Sequence, residues 1–65
     1  MTLQQIHYVL AIAETGSMNR AAESLFISQP ALTKALRELE AEIGIIVFRR
    51  SSRGVIPTDE GSEFL

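Results

Sequence analysis

Gln29, Thr33, Lys34 and Arg37 fall at spacings of three and four, so they share one side of any helix that carries them. Their chemistry suits the edges of base pairs. A Gln amide can make a paired hydrogen bond to adenine, Lys or Arg can address guanine, and a Thr methyl can touch the methyl of thymine. Any solvated helix face can carry such residues, so the face alone does not separate a reading surface from an ordinary polar one. A second basic cluster, Arg49, Arg50 and Arg53, follows, and neither cluster contains an acid. Cations at that density supply affinity for a phosphate backbone with little sequence information.

These side chains need rigid carriers, and the run Gly16 to Leu39, GSMNRAAESLFISQPALTKALREL, supplies two capped helices joined by a tight turn. Ser17 is the predicted cap of a short helix whose Ala21, Ala22 and Leu25 face inward, the alanines allowing close approach of a neighbour. Phe26-Ile27 is predicted to plug the junction. Ser28 caps the next helix, with Pro30 in its first turn, where the missing amide costs no helical hydrogen bond. Whether Gln29 is its first residue stays open, because a residue before proline is biased away from helix. Leu32, Leu36, Leu39 and Ile43 make its buried stripe, and Gly44 ends it.

Upstream, Thr2 followed by Gln5 forms a capping box for a first helix, with Leu3, Ile6, Leu10 and Ala13 as its predicted apolar stripe and Thr15-Gly16 as its stop. His7 and Tyr8 fall beside that stripe, and the lone His has no second ligand or base to act with. Downstream, Ile45-Ile46-Val47-Phe48 is β-prone, Arg49 to Gly54 reads as a polar turn, and Val55-Ile56 is a second β-prone piece. Two short strands around a basic tip make a wing, which would bring Arg50 and Arg53 to the sugar-phosphate backbone or minor groove. The bland alternative is a solvated hairpin with Arg50 folded back on Glu40. Thr58 caps a last helix with Asp59 and Glu60 in its first turn, where negative charge suits the helix dipole.

The whole chain has 65 residues, no cysteine and a formal charge of −2. That size permits one small domain, and without thiols its core must supply the stability unaided. All basic residues lie between Arg20 and Arg53, whereas Glu14 precedes that window and Asp59, Glu60 and Glu63 follow it, so the middle can be positive while the ends are acidic. One His, no Cys and no Gly-rich phosphate loop leave neither a nucleophile and base pair nor a cofactor motif, so no enzyme, cofactor or metal site is expected. No apolar run approaches the roughly 20 residues that span a bilayer, and a cytoplasmic domain is expected. A helical protein-interaction module is the remaining rival to nucleic-acid binding.

In order, GSMNRAAESL, SQPALTKALRELEAEIG, VFRR and PTDEG resemble the N-terminal domain of LysR-type transcriptional regulators over almost the whole chain. The resemblance implies a mainly α fold, a winged helix-turn-helix with a three-helix core, a short β-hairpin wing and the start of a linker helix. It puts the domain at 1–58, the helix-turn-helix at about 18–37, the wing at about 46–57 and the linker helix from 59, with a C-terminal effector-binding domain outside this chain. The implied partner is double-stranded DNA bearing an interrupted inverted repeat. The implied assembly is a homodimer or homotetramer paired through the linker helix, with a small-molecule effector on the separate domain.

Carried over by position, Gln29, Pro30, Thr33 and Lys34 match residues that meet bases and nearby backbone, and Arg50 and Arg53 match the wing contacts. Ser28, Ala31 and Arg37 beside them, with Ser17, Asn19 and Arg20 at the start of the second helix, complete the candidate DNA-binding set. Thr33 stands where the family usually has Ser, and Val47 where it usually has Leu. Because Leu36 belongs to the predicted core stripe, Leu36→Ala is expected to cost about 2 to 5 kcal/mol in urea unfolding. A loss below about 1 kcal/mol would place that side chain on the surface.

Overall fold

The first helix starts as its capping box requires: Gln5 N–H donates to Thr2 Oγ1 at 3.1 Å, and Thr2 N–H donates to Gln5 Oε1 at 3.0 Å. In the computed structural model, which describes residues 1–65, α1 spans Leu3–Thr15, α2 Met18–Leu25 and α3 Gln29–Ile43. The strands β1, Phe48–Ser51, and β2, Gly54–Pro57, follow, and α4 covers Asp59–Phe64. Ser17, Ser28 and Thr58 cap their helices by accepting from Arg20 N–H, Ala31 N–H and Gly61 N–H. Gln29 is the first helical residue of α3 in spite of the proline after it. No helix is long and apolar enough to cross a membrane.

One core forms between the helices and the base of the hairpin. α2 contributes Met18, Ala21 and Ala22, α3 contributes Leu32, Leu36 and Leu39, and Val47 and Phe48 close the bottom. Ile43 and Leu25 pack at its margin. The stripe expected on α1 is on the wrong side. Val9 and Ile12 are the buried residues, whereas Leu3 is 70% exposed and Leu10 48%, with Ile6 and Ala13 also at the surface. Apolar residues occupy most of the circumference of α1, so two helical stripes fit its sequence, and the one through Tyr8, Val9 and Ile12 meets the core.

The expectation for Phe26 also fails, since its side chain is 95% exposed. Phe26 takes a left-handed backbone, φ 59°, as the residue that terminates α2. Its N–H donates to Glu23 O at 3.2 Å, and Ile27 N–H returns to Ala22 O at 3.1 Å. In that helix-ending turn the second residue folds back onto the helix while the left-handed one points away. Ile27 therefore packs against the core, and Phe26 does not.

The hairpin is antiparallel, with Phe48 opposite Pro57, Arg49 opposite Ile56, Arg50 opposite Val55 and Ser51 opposite Gly54. It begins later than its β-prone lead-in. Ile45, Ile46 and Val47 are outside the strand, while Arg49 and Arg50, expected in the turn, are within it. A partner of four residues, Gly54–Pro57, reaches back only to Phe48, so the apolar run before it has no strand to pair with. Val47 is instead fixed by other bonds: its carbonyl accepts from Thr58 N–H at 2.9 Å, and Thr58 Oγ1 donates to Ile46 O.

Two glycines bring backbones into contact. Val55 N–H donates to Gly16 O at 2.9 Å, joining the wing to the turn between α1 and α2, and a Cβ on Gly54 would lie 2.3 Å from that same oxygen. On α4, a Cβ at the buried Gly61 would lie 2.0 Å from Val47 O. Neither backbone oxygen can swing aside as a side chain would. Gly61→Ala is therefore expected to push α4 off the Val47 segment and lower stability by about 1 to 3 kcal/mol in thermal unfolding. An unchanged midpoint would show that α4 is not docked there.

Candidate nucleic-acid interface

The first turn of α3 carries most of the candidate residues because Ser28 ends the preceding turn by capping, its Oγ accepting from Ala31 N–H at 3.2 Å. Pro30 and Ala31 are exposed there, and Gln29 Nε2 donates to Thr33 Oγ1 at 3.1 Å, one turn further on. Lys34 and Arg37 extend the same face and are exposed. Gln29, Pro30, Thr33, Lys34 and Arg37 line an open groove whose other wall includes Arg50 of β1. Arg50 and Gln29 also line a second groove with Ser17 and Asn19 from the start of α2. Helix α3, the start of α2 and the wing thus converge on these two side chains.

Four candidates lie outside both grooves. Arg53 is exposed at the wing tip, where its backbone N–H donates to Ser51 Oγ at 3.2 Å. Arg20 is exposed on α2, and Ser28 and Ala31 are exposed on the first turn of α3. Two residues that had not been singled out, Glu38 and Ala41, line the first groove. They lie four and seven residues beyond Lys34, so helical spacing alone places them on its face. Glu38 puts an acid at the far end of the basic stripe.

The cations are free of internal partners. The one ion pair in the molecule joins the amino terminus to Glu42, so Lys34, Arg37, Arg49, Arg50 and Arg53 stand unpaired and exposed. The alternative in which Arg50 folds onto Glu40 is not realised. Glu40 Oε2 accepts from Val47 N–H at 2.7 Å and, more weakly, from Phe48 N–H at 3.4 Å. The carboxylate on the back of α3 holds the entry to β1.

Three helices, a tight turn between the second and third, and an antiparallel hairpin set beside the third helix make a winged helix-turn-helix. The sequence profile described as "Bacterial regulatory helix-turn-helix protein, lysR family" matches residues 3–62, and the chain belongs to this family as its DNA-binding domain, not an enzyme. It is similar to the HTH-type transcriptional regulator TcbR of Pseudomonas sp. (strain P51), 42% identical over 65 residues, all of this chain and 22% of that protein. It is 44% identical over 63 residues to the uncharacterized HTH-type regulator YdcI of Escherichia coli (strain K12), 97% of this chain and 20% of that protein. Among solved structures, the CbnR_DBD–DNA complex superposes with a TM-score of 0.93 at 42% identity, over 100% of this chain and 75% of that one. BenM_DBD bound to benA site 1 DNA gives 0.92 at 41% identity, over 98% of this chain and 72% of that one. The chain thus spans about a fifth of the length of the curated relatives it matches.

Two variants separate the roles of Glu40 and Arg50. Glu40→Ala leaves the buried Val47 amide without its charged acceptor and is expected to cost about 1.5 to 3 kcal/mol in urea unfolding. Arg50→Ala, at an exposed residue with no internal partner, is expected to stay within about 0.5 kcal/mol of the parent. Matching losses would restore the ion pair that the structure replaces.

Proposed function

We propose that this domain reads specific sequences in double-stranded DNA with α3 in the major groove and the wing against the sugar-phosphate backbone or minor groove. The observation that carries this reading is the groove itself. Gln29, Thr33, Lys34 and Arg37 present donors, an acceptor and a methyl group on one open helix face, with Arg50 on the adjoining wall. A major groove is wide enough to take a helix edge-on and displays complementary groups. Base contacts fall to Gln29, Thr33 and Lys34 with Pro30 and Ala31 against the adjoining backbone, while Arg37, Arg50 and Arg53 supply phosphate contacts. Ser17, Asn19, Arg20 and Ser28 flank the second groove or the first turn of α3 and add polar backbone contacts there.

In the longer regulator, two such domains are held together as a homodimer, or four as a homotetramer, through a linker helix continuing α4. The pair reads an interrupted inverted repeat whose half-sites are separated by whole helical turns. Linking the two heads raises the effective concentration of the second contact, so one head binds less tightly than the pair. A small-molecule effector acts on the separate C-terminal domain, and the regulator works in the cytoplasm. The similarity to the transcriptional regulator TcbR, and to CbnR_DBD solved on DNA, supports the DNA-binding part of this picture.

The test is selection of bound duplexes from a random pool by the 65-residue chain, followed by titration of the winner and a scrambled duplex at two salt concentrations. An enriched half-site with steeply salt-dependent binding is expected, and a salt-insensitive interaction would favour a protein partner instead. Gln29→Ala and Lys34→Ala are expected to lose about 1 to 3 kcal/mol on the selected sequence and little on the scrambled one. Arg53→Ala is expected to weaken both alike and lower the salt slope by about 1. Equal losses on both duplexes for all three variants would contradict the division into reading and anchoring residues.

A further inference from the structure

One hydrogen of the Gln29 amide is already committed. Nε2 donates to Thr33 Oγ1 at 3.1 Å, so the end of the Gln29 side chain is turned along α3 toward its next turn. The amide then retains one acceptor, Oε1, and one remaining N–H donor. That pair has a definite complement. Adenine shows N7 as acceptor and its N6 amino group as donor in the major groove, so one donor and one acceptor satisfy both. Guanine shows two acceptors there, N7 and O6, and meeting both requires two donors. A free Gln amide has two, on one nitrogen, whereas an amide tied to Thr33 has one.

We infer that Thr33 is a positioning residue that makes Gln29 prefer adenine over guanine, by holding one Nε2 hydrogen of the Gln29 amide. The inference rests on the proposed DNA-reading role of α3. Thr33 acts through its hydroxyl, and its branched Cβ restricts the rotamers in which that hydroxyl can stand. Both residues are half-buried between the exposed cations of the face, so the bond is shielded in part from competing water. The Thr33 methyl remains available to a neighbouring thymine.

The experiment uses the 65-residue chain and the duplex it selects from a random pool. The base pair at which Gln29→Ala loses its preference identifies the position read by Gln29, and guanine is then exchanged for adenine there. The parent is expected to favour adenine by about tenfold, the lower part of the range for a good paired contact. Thr33→Val keeps the branched shape and removes the acceptor, and it is expected to reduce that ratio to about threefold or less, given one freed donor. Thr33→Ser restores the hydroxyl and is expected to restore the ratio. The thermal midpoint serves as the control that a merely structural defect would move, and it is expected to stay at the parental value. Retention of the full adenine preference by Thr33→Val, or selection of guanine by the parent, overturns the inference while leaving DNA reading intact. If Gln29→Ala changes no base preference, the reading role of Gln29 fails first and the inference falls with it.

Discussion

The contact on which the arrangement of this domain depends is the Glu40 carboxylate gripping the Val47 and Phe48 amides. A two-stranded hairpin is marginal by itself in water, so the wing has a fixed position only if other elements impose one. Glu40 sits on α3, the helix whose exposed face carries Gln29, Thr33, Lys34 and Arg37, and it holds the wing from the residue before β1. The same bond therefore sets the distance between the helix face and Arg50. Gly16 O on the Val55 amide clamps the other strand, and Thr58 ties the exit to Ile46 and Val47. The hairpin is held at both strands and at its base by polar contacts, around an apolar plug made by Val47 and Phe48.

Much of this was legible because the helix ends are written locally. Thr2, Ser17, Ser28 and Thr58 each have a short polar side chain three residues before the amide they accept, and each caps as its spacing requires. The stripe of α3 was legible for a related reason: Leu32, Leu36 and Leu39 are separated by residues too polar to offer a second apolar face. α1 lacks that contrast. With Leu3, Ile6, Leu10 and Ala13 on one side and Val9 and Ile12 on another, only the packing of α2 and α3 decides which is buried. Local pattern is equally silent about Phe26, whose position follows from a left-handed backbone at the helix end and not from its hydrophobicity. The start of β1 depends on how far Gly54–Pro57 extends, a constraint that propensity in Ile45-Ile46-Val47 cannot contain. The functional face follows the same rule. Positions on α3 were readable from spacing, while the convergence of Asn19, Gln29 and Arg50 needed the tertiary fold.

Net charge is a poor guide to this surface. The chain is acidic overall, yet Asp59 and Glu60 are placed at the start of α4, where the helix dipole favours them, and Glu42 is engaged by the amino terminus. Glu40 is turned to the backbone. What remains along α3 and the wing is a set of cations with no internal partner, interrupted only by Glu38. An anionic polymer meets that local field, since interactions between exposed charges fade beyond roughly 10 Å at moderate salt.

The two kinds of contact also differ in how far they are ordered beforehand. On the proposed reading Arg37, Arg50 and Arg53 go to phosphates; they are exposed and make no side-chain hydrogen bond, so fixing each one sacrifices rotamer freedom of about 1.5 to 2 kcal/mol. Such loosely held cations tolerate small differences in backbone position, which suits affinity and not discrimination. Gln29 has already given up part of that freedom to Thr33. An amide whose orientation is restrained before contact loses little further entropy against a matching edge, and it cannot rotate cheaply to accommodate a mismatched one. Because α3 is itself held rigidly by Leu32 and Leu39 in the core and by Glu40 at the wing, that orientation refers to the whole domain and not to a mobile side chain. On the proposed reading, discrimination by Gln29 thus resides where the structure is constrained, and affinity from Arg37, Arg50 and Arg53 where it is least so.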